Sequence, residues 1–124
     1  MEAVAVAKGA RFEIRAIALR RGGTSVVSEY LATLREPERI NVVATIKWFA
    51  EHGDPRNERK CRRLSPNLFE LKEGAHRVPF FYDSRRRGVV VLTHGFRKRS
   101  DKTPAREIRR AVGLREEYER NVLG

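Results

Sequence analysis

Arg77, Lys98 and His94 are the side chains in this chain that could do chemistry on a phosphate, with Lys72, Arg97, Arg99 and Lys102 close in sequence. RNA can be cut by such groups without a metal. Its own 2′-hydroxyl attacks the adjacent phosphorus. The protein must take up that proton, neutralise the extra charge on the phosphorane and assist the leaving 5′-oxygen. Arginine suits the phosphorane, because its planar fork binds two oxygens and keeps its charge. Histidine suits the proton transfers, because its ordinary pKa lies near neutrality. Arg97-Lys98-Arg99 follows a buried Gly-Phe, and three adjacent cations there are poorly explained by solubility alone. Tyr82, on the aromatic stretch Phe80-Phe81-Tyr82, is an expected stacking partner for a base.

Other chemistries are absent from the pattern. His52, His76 and His94 are scattered, and none has a carboxylate or thiol at metal-ligand spacing, so no metal or cofactor is expected. There is no glycine-rich phosphate loop and no serine elbow. Cys61 is the single cysteine, which excludes an internal disulfide and fits an intracellular home. It sits in Arg59-Lys-Cys-Arg-Arg63, where it is read as a passive thiol in a basic segment, with a pKa lowered by its cations as the alternative.

The net charge is +11, from 27 Lys and Arg against 16 Asp and Glu. Residues 1–55 hold 8 basic and 7 acidic side chains, so nearly all the excess lies in residues 56–124. Such a one-sided field speeds encounter with nucleic acid, and would attract an acidic protein equally. At 124 residues the chain suits one domain with one core. No apolar run approaches the roughly 20 residues of a membrane span, and Glu2 with no cleavage pattern argues against a secretory signal. A cytoplasmic protein is expected.

These residues need elements to hold them. Residues 1–10 read as an N-terminal tail, and 11–124 as the domain. A strand is predicted over 11–19, ended by Arg20-Arg-Gly-Gly23. A helix capped at Thr24 or Ser25 runs through Leu34, with Val27, Tyr30, Leu31 and Leu34 on one face. A second helix has Pro37 in its first turn and stops near His52-Gly53, before Asp54-Pro55. Its inward face is predicted as Ile40, Val43, Ala44 and Trp48, widened by Ile46 and Phe49. Residues 54–63 read as a polar loop. Strands follow over 68–72, 76–83 and 88–94, the last two joined by the solvated turn Ser84-Arg-Arg-Arg87. His76, beside a turn, is expected to be exposed. Pro79 cannot donate a ladder bond, so its strand should be bulged or at an edge there. Thr103 is predicted to cap a last helix with Pro104 at its first position, and Ile108, Val112 and Tyr118 turned inward. The order is β-α-α-β-β-β-α, an α+β single domain with a helical hairpin on a small, mainly antiparallel sheet. Arg77, Lys72, His94, Arg97, Lys98 and Arg99 would face one cleft if the strands pair in that order.

Leu68-Phe-Glu-Leu-Lys72, Arg77-Val-Pro-Phe-Phe-Tyr82, Val91-Leu-Thr-His-Gly-Phe96 and Lys102-Thr-Pro-Ala-Arg-Glu-Ile108 resemble, in order and spacing, the phage-derived, HigB-like branch of the RelE/ParE toxin superfamily. The resemblance covers roughly residues 11–112 and is most specific over 68–108. It implies the RelE-like fold and the toxin of a type II toxin–antitoxin pair, a ribosome-dependent mRNA endonuclease that stops translation. Its implied partners are the ribosome, mRNA and a helix-turn-helix, HigA-like antitoxin, with operator DNA reached only through that antitoxin. By position, Arg77 matches the arginine on the scissile phosphate, Lys98 with Arg97 and Arg99 the basic loop, and Lys72 a basic strand position. The chain departs from relatives with a tyrosine just after that loop: here the stretch is Ser100-Asp-Lys-Thr103, and His94 or Tyr118 are the replacements on offer. Two other readings stand beside this one: a ParE-like inhibitor of DNA gyrase without enzymatic activity, and a basic phage-derived nucleic-acid-binding module.

Overall fold

A computed structural model describes residues 1–123 apart from Pro55 and Glu58. The elements are β1 (Glu2–Lys8), β2 (Glu13–Ala18), α1 (Val26–Ala32), α2 (Glu36–His52), β3 (Cys61–Ser65), β4 (Leu68–Glu73), β5 (His76–Tyr82), β6 (Val89–Leu92), β7 (Phe96–Arg97) and α3 (Ala105–Leu123). The architecture is the expected α+β fold, with three strands more than the sequence pattern shows. The seven-stranded sheet runs β1-β2-β6-β5-β4-β3, with β7 also paired to β5. Among the described residues only β2 and β6 pair in parallel.

Two of the added strands are the sheet's edges. Residues 2–8 are a strand and not a tail: they pair antiparallel with β2, from Glu2 opposite Ala18 to Lys8 opposite Glu13. Alternating Ala and Val make this segment easy to misread, because neither face of β1 carries a strong apolar or polar signal. At the other edge, residues 61–65 leave the predicted loop and form β3, antiparallel to β4. The turn between them is Pro66-Asn67, with Asn67 at φ 49°, a left-handed conformation that asparagine tolerates.

The helical hairpin packs on one face of the sheet. Ser25 caps α1, its Oγ accepting from the Ser28 N–H at 3.1 Å. Pro37 sits in the first turn of α2, which ends at His52 with Gly53 as cap; Pro55, expected to help stop it, lies outside the described residues. The inward face of α2 is rotated from the predicted one. Val42, Thr45, Ile46, Phe49 and Ala50 are buried, whereas Ile40 is 55% exposed. The helix is apolar on more than one side, so periodicity alone chose the wrong stripe. Its true face packs with Ile14, Ala16, Leu71, Val78, Phe80, Val90 and Leu92. On the opposite sheet face α3 covers a second cluster, in which Tyr118 meets Ile17, Phe81, Val89 and Val91. Tyr118 donates to Asp83 Oδ2 at 3.0 Å, and Arg86 joins the same carboxylate at 3.3 Å. Part of the turn expected to be solvated is thereby fastened to α3.

β5 is the centre of this arrangement. Its second half pairs with β6 and its first half with β7, so the partner strand is broken across Thr93-Gly95. Pro79 faces that break. Its carbonyl accepts from the Thr93 N–H at 2.9 Å and its missing N–H needs no partner. The expected bulge or edge is therefore not in β5: the neighbouring strand splits instead. Gly95 lies in the break against the Tyr30 ring, and a Cβ there would overlap the ring. That contact explains the glycine of His94-Gly-Phe96. Among the described residues no helix is long and apolar enough to cross a membrane.

Candidate phosphate-binding site

The free corner of the sheet, beside the start of α3, carries the basic cluster. Strand alternation puts Leu68, Glu70 and Lys72 of β4 on the α3 side, with Arg77, Pro79 and Phe81 of β5. Lys72 lies directly opposite Arg77, and Arg62 of β3 directly opposite Glu70. Phe96 of β7 pairs with Arg77. The Lys98 N–H continues that ladder to the Ala75 carbonyl at 2.8 Å, which returns Lys98 to the Phe96 and Arg77 face. Arg62, Lys72, Arg77 and Lys98 thus share one side of the sheet. Arg99 and Lys102 are exposed on the loop that follows.

Arg77 is 8% exposed, and its guanidinium is held from one end. Nη1 donates to the Gly74 carbonyl at 2.7 Å and the His76 carbonyl at 2.9 Å. Nε stands 4.0 Å from Glu70 Oε2, beyond hydrogen-bond reach. Among the described residues no buried side-chain nitrogen or oxygen lacks a partner. The Nε–Nη2 edge makes no hydrogen bond and is not fully sealed from solvent, with Nε facing the Glu70 carboxylate. That edge is the bidentate fork with which arginine takes two oxygens of a phosphate. Burial presses against the charge of Arg77, and the Glu70 carboxylate offsets that pressure.

Glu70 is the residue that sequence reasoning undervalued. It is fully buried, and both its oxygens accept the Thr103 hydroxyl, at 2.9 and 2.8 Å. Burial raises its pKa; the Thr103 hydrogen bond and the charges of Arg77, Arg62 and Lys72 oppose that rise. Thr103 consequently does not cap the last helix. That helix begins at Ala105, and the Pro104 carbonyl accepts from the Glu107 N–H at 3.0 Å. Arg62 was also missed, as part of the supposed loop. It reaches the Asp101 carbonyl at 3.3 Å and so brings β3 beside residues 98–103. The Pro66-Asn67 turn before Leu68 was the signal that could have revealed its strand.

Several expected site residues lie elsewhere. His94 is fully buried, with Nδ1 3.0 Å from Thr93 Oγ1 and Nε2 3.1 Å from Glu107 Oε1. It joins the sheet to α3 and does not face the cleft. Tyr118, the other replacement for the missing tyrosine, is buried too. Tyr82 points to the helical side, packed tilted or edge-on against Phe12, Phe69 and Phe80. Burial pushes its pKa to about 12. Arg97 also faces the helical side, where it donates to Glu38 Oε1 at 2.9 Å. Glu38 accepts as well from His76 Nε2 at 3.0 Å, and His76 Nδ1 meets the Tyr30 hydroxyl at 2.6 Å. His76, expected to be exposed, is thus buried in a chain that ties α1 and α2 to β5 and β7. The single predicted cleft divides between two faces because a strand turns alternate side chains apart. Burial raises the Cys61 pKa to about 12, so desolvation outweighs its cationic neighbours and the thiol is passive.

The place of His94 has a pH signature. Burial pushes its pKa down to about 4, Arg110 adds to the fall and Glu107 opposes it. An unfolded histidine titrates near ~6.5, so below that pH the unfolded chain binds the extra proton. The contribution to stability is full above that value and is lost as pH falls toward 4. Glu70, with its raised pKa, acts in the opposite sense, so the comparison must be made within one position. Between pH 7 and 5 the urea midpoint is expected to fall further for the parent chain than for His94→Gln. Equal falls would show that His94 is not held neutral.

The chain was compared with known proteins. Residues 29–116 match the family described as phage-derived protein Gp49-like (DUF891). No curated protein sequence matches. Four chains among solved structures match. One is from the crystal structure of the toxin–antitoxin complex RelBE2 of Mycobacterium tuberculosis, at 20% identity and a TM-score of 0.42, over 68% of this chain and 95% of that one. The family match spans α2, the sheet from β3 to β7 and most of α3, the elements that carry Arg62, Glu70, Lys72, Arg77, Lys98 and Thr103. This chain belongs to the phage-derived Gp49-like family (DUF891).

Proposed function

We propose that this protein is the toxin of a type II toxin–antitoxin pair and acts as a ribosome-dependent mRNA endonuclease in the cytoplasm, neutralised by a HigA-like antitoxin. The observation that carries this reading is the guanidinium of Arg77: one end is fixed by two backbone carbonyls and the fork edge is left open. A cation that served only solubility would be mobile and exposed, and would not be seated at 8% exposure beside a buried carboxylate. Held in this way, the fork can meet two non-bridging oxygens without reorganising, which favours the doubly charged phosphorane over the singly charged ground state. Lys98 supplies a second positive charge on the same face. Lys72 and Arg62 lie on either side of Glu70 and hold the flanking backbone. Arg99 and Lys102 extend the field along the loop. In this reaction the 2′-oxygen bonds to phosphorus, the bond to the 5′-oxygen breaks, and a cyclic phosphate and a 5′-hydroxyl result.

The test is growth arrest on induction. The parent chain is expected to stop growth, and Arg77→Ala combined with Lys98→Ala to abolish arrest while the purified variant keeps the folded circular-dichroism spectrum of the parent. Full toxicity in that double variant would sink the nuclease reading. Uncut messages with impaired supercoiling would point to the gyrase alternative.

A further inference from the structure

The cations of the cleft explain charge stabilisation but not proton removal, and the residues expected to supply a base are buried or turned away. We propose that Thr103 and Glu70 form the general-base relay: the Thr103 hydroxyl receives the proton of the RNA 2′-hydroxyl while passing its own to the Glu70 carboxylate. This rests on the nuclease reading above.

The geometry fits a relay in three respects. First, the hydroxyl hydrogen of Thr103 is committed to Glu70, 2.8 and 2.9 Å away, which leaves its oxygen free to accept from outside. Thr103 is half-buried, between solvent and carboxylate. Second, Glu70 is fully enclosed, so its only route to a substrate proton is through a neighbour that can both donate and accept. Of the groups that act on its charge, Thr103, Arg77, Arg62 and Lys72, the hydroxyl is the one that can both donate and accept. Third, the same carboxylate stands 4.0 Å from Arg77 Nε, at the open edge of the fork. A phosphate on that edge would lie beside the carboxylate that Thr103 contacts. Burial raises the proton affinity of Glu70, which strengthens it as a proton acceptor.

The step balances without a further reactant. The 2′-O–H bond breaks as the 2′-O–P bond forms, and the proton count on Thr103 is unchanged because it gains one and gives one. Glu70 ends protonated. The departing 5′-oxygen takes its proton from water, and Glu70 returns its own to solvent through Thr103 after product leaves. A purely structural Thr103 would only latch the start of α3 to β4, so the test must separate a latch from a relay.

The experiment is the cleavage rate of one reporter mRNA in a cell-free translation extract, with binding to a 2′-deoxy-substituted RNA measured alongside. Thr103→Val keeps the shape and removes the hydroxyl. It is expected to slow cleavage about 10²–10⁴-fold, the range of a lost general base, with binding unchanged and the chain still folded. Thr103→Ser, which restores a hydroxyl, should recover the rate to within about tenfold. Should Thr103→Val unfold early, Glu70→Gln takes its place, since the amide oxygen can still accept from Thr103. A slow rate with the acidic limb of the pH profile removed supports the relay, and an unaltered pH profile overturns it. Parent-like cleavage by Thr103→Val, with Arg77→Ala inactive, overturns the relay and leaves the nuclease reading intact. No cleavage by the parent chain removes both.

Discussion

Replacing Arg77 by lysine is expected to lower mRNA cleavage by about 10²–10³-fold, although the charge is conserved. A lysine is a compact ammonium on a flexible stem, whereas the guanidinium offers five donors in a fixed plane. In the parent chain that plane is set by the carbonyls of Gly74 and His76, which take Nη1 and leave Nε and Nη2 without a hydrogen bond. An ammonium cannot meet the two carbonyls and two phosphate oxygens together. It would point at the carbonyls, because they are fixed and close. The measurement is the first-order rate of message loss in translating extract, with affinity for uncleavable RNA beside it. Binding should weaken far less than the rate falls, since the long-range field of the cluster remains. A lysine variant cutting at the parent rate would mean that Arg77 serves as a point charge only, and the argument from the fork would fail.

Phe80→Ala should have the largest effect on stability. Phe80 is fully buried in the middle of β5, and its ring lies 5.0 Å from that of Phe49, 5.5 Å from Phe69 and 5.9 Å from Tyr82, centre to centre. These partners come from α2, β4 and the end of β5 itself, so one truncation loosens the packing of helix on sheet. Such substitutions cost about 3–5 kcal/mol, against a typical total of roughly 5–15. The site would suffer indirectly, because Arg77 depends on the register of β5 with β4 and β7. Urea unfolding followed by far-ultraviolet circular dichroism measures the loss. A cost below about 1 kcal/mol would show that the cavity collapses and that the Phe80 contacts are replaceable.

The parts of this molecule that were legible in the sequence are those where one local signal met no rival. Pro37 and Ser25 mark helix starts, and the apolar runs of β5 and β6 can only be buried strands. Arg77 and Lys98, expected to face one cleft, lie on one side of the sheet. The rest fails for identifiable reasons. The Ala-Val alternation of β1 is too weak to distinguish a strand from a tail. The cations of 59–63 hide the period of β3. On α2, apolar residues lie on several sides, and only the sheet decides which of them are covered. Parity decides the fate of Arg97 and His94. Arg97 follows Phe96 by one residue and so emerges on the opposite face, toward Glu38. His94 falls where β6 and β7 part, and its ring turns into the core beneath α3. No local pattern shows that Glu70 is buried, because its cover, Thr103, comes from a distant part of the chain.

The central claim is that the open fork of Arg77 and the charge of Lys98 make this face a device for cutting messages during translation. Mapping mRNA 5′ ends after induction in growing cells tests it most directly. New 5′-hydroxyl ends within translated reading frames, present with the parent chain and absent with Arg77→Ala combined with Lys98→Ala, are the predicted result. Growth arrest by the parent chain with every message intact would contradict the account.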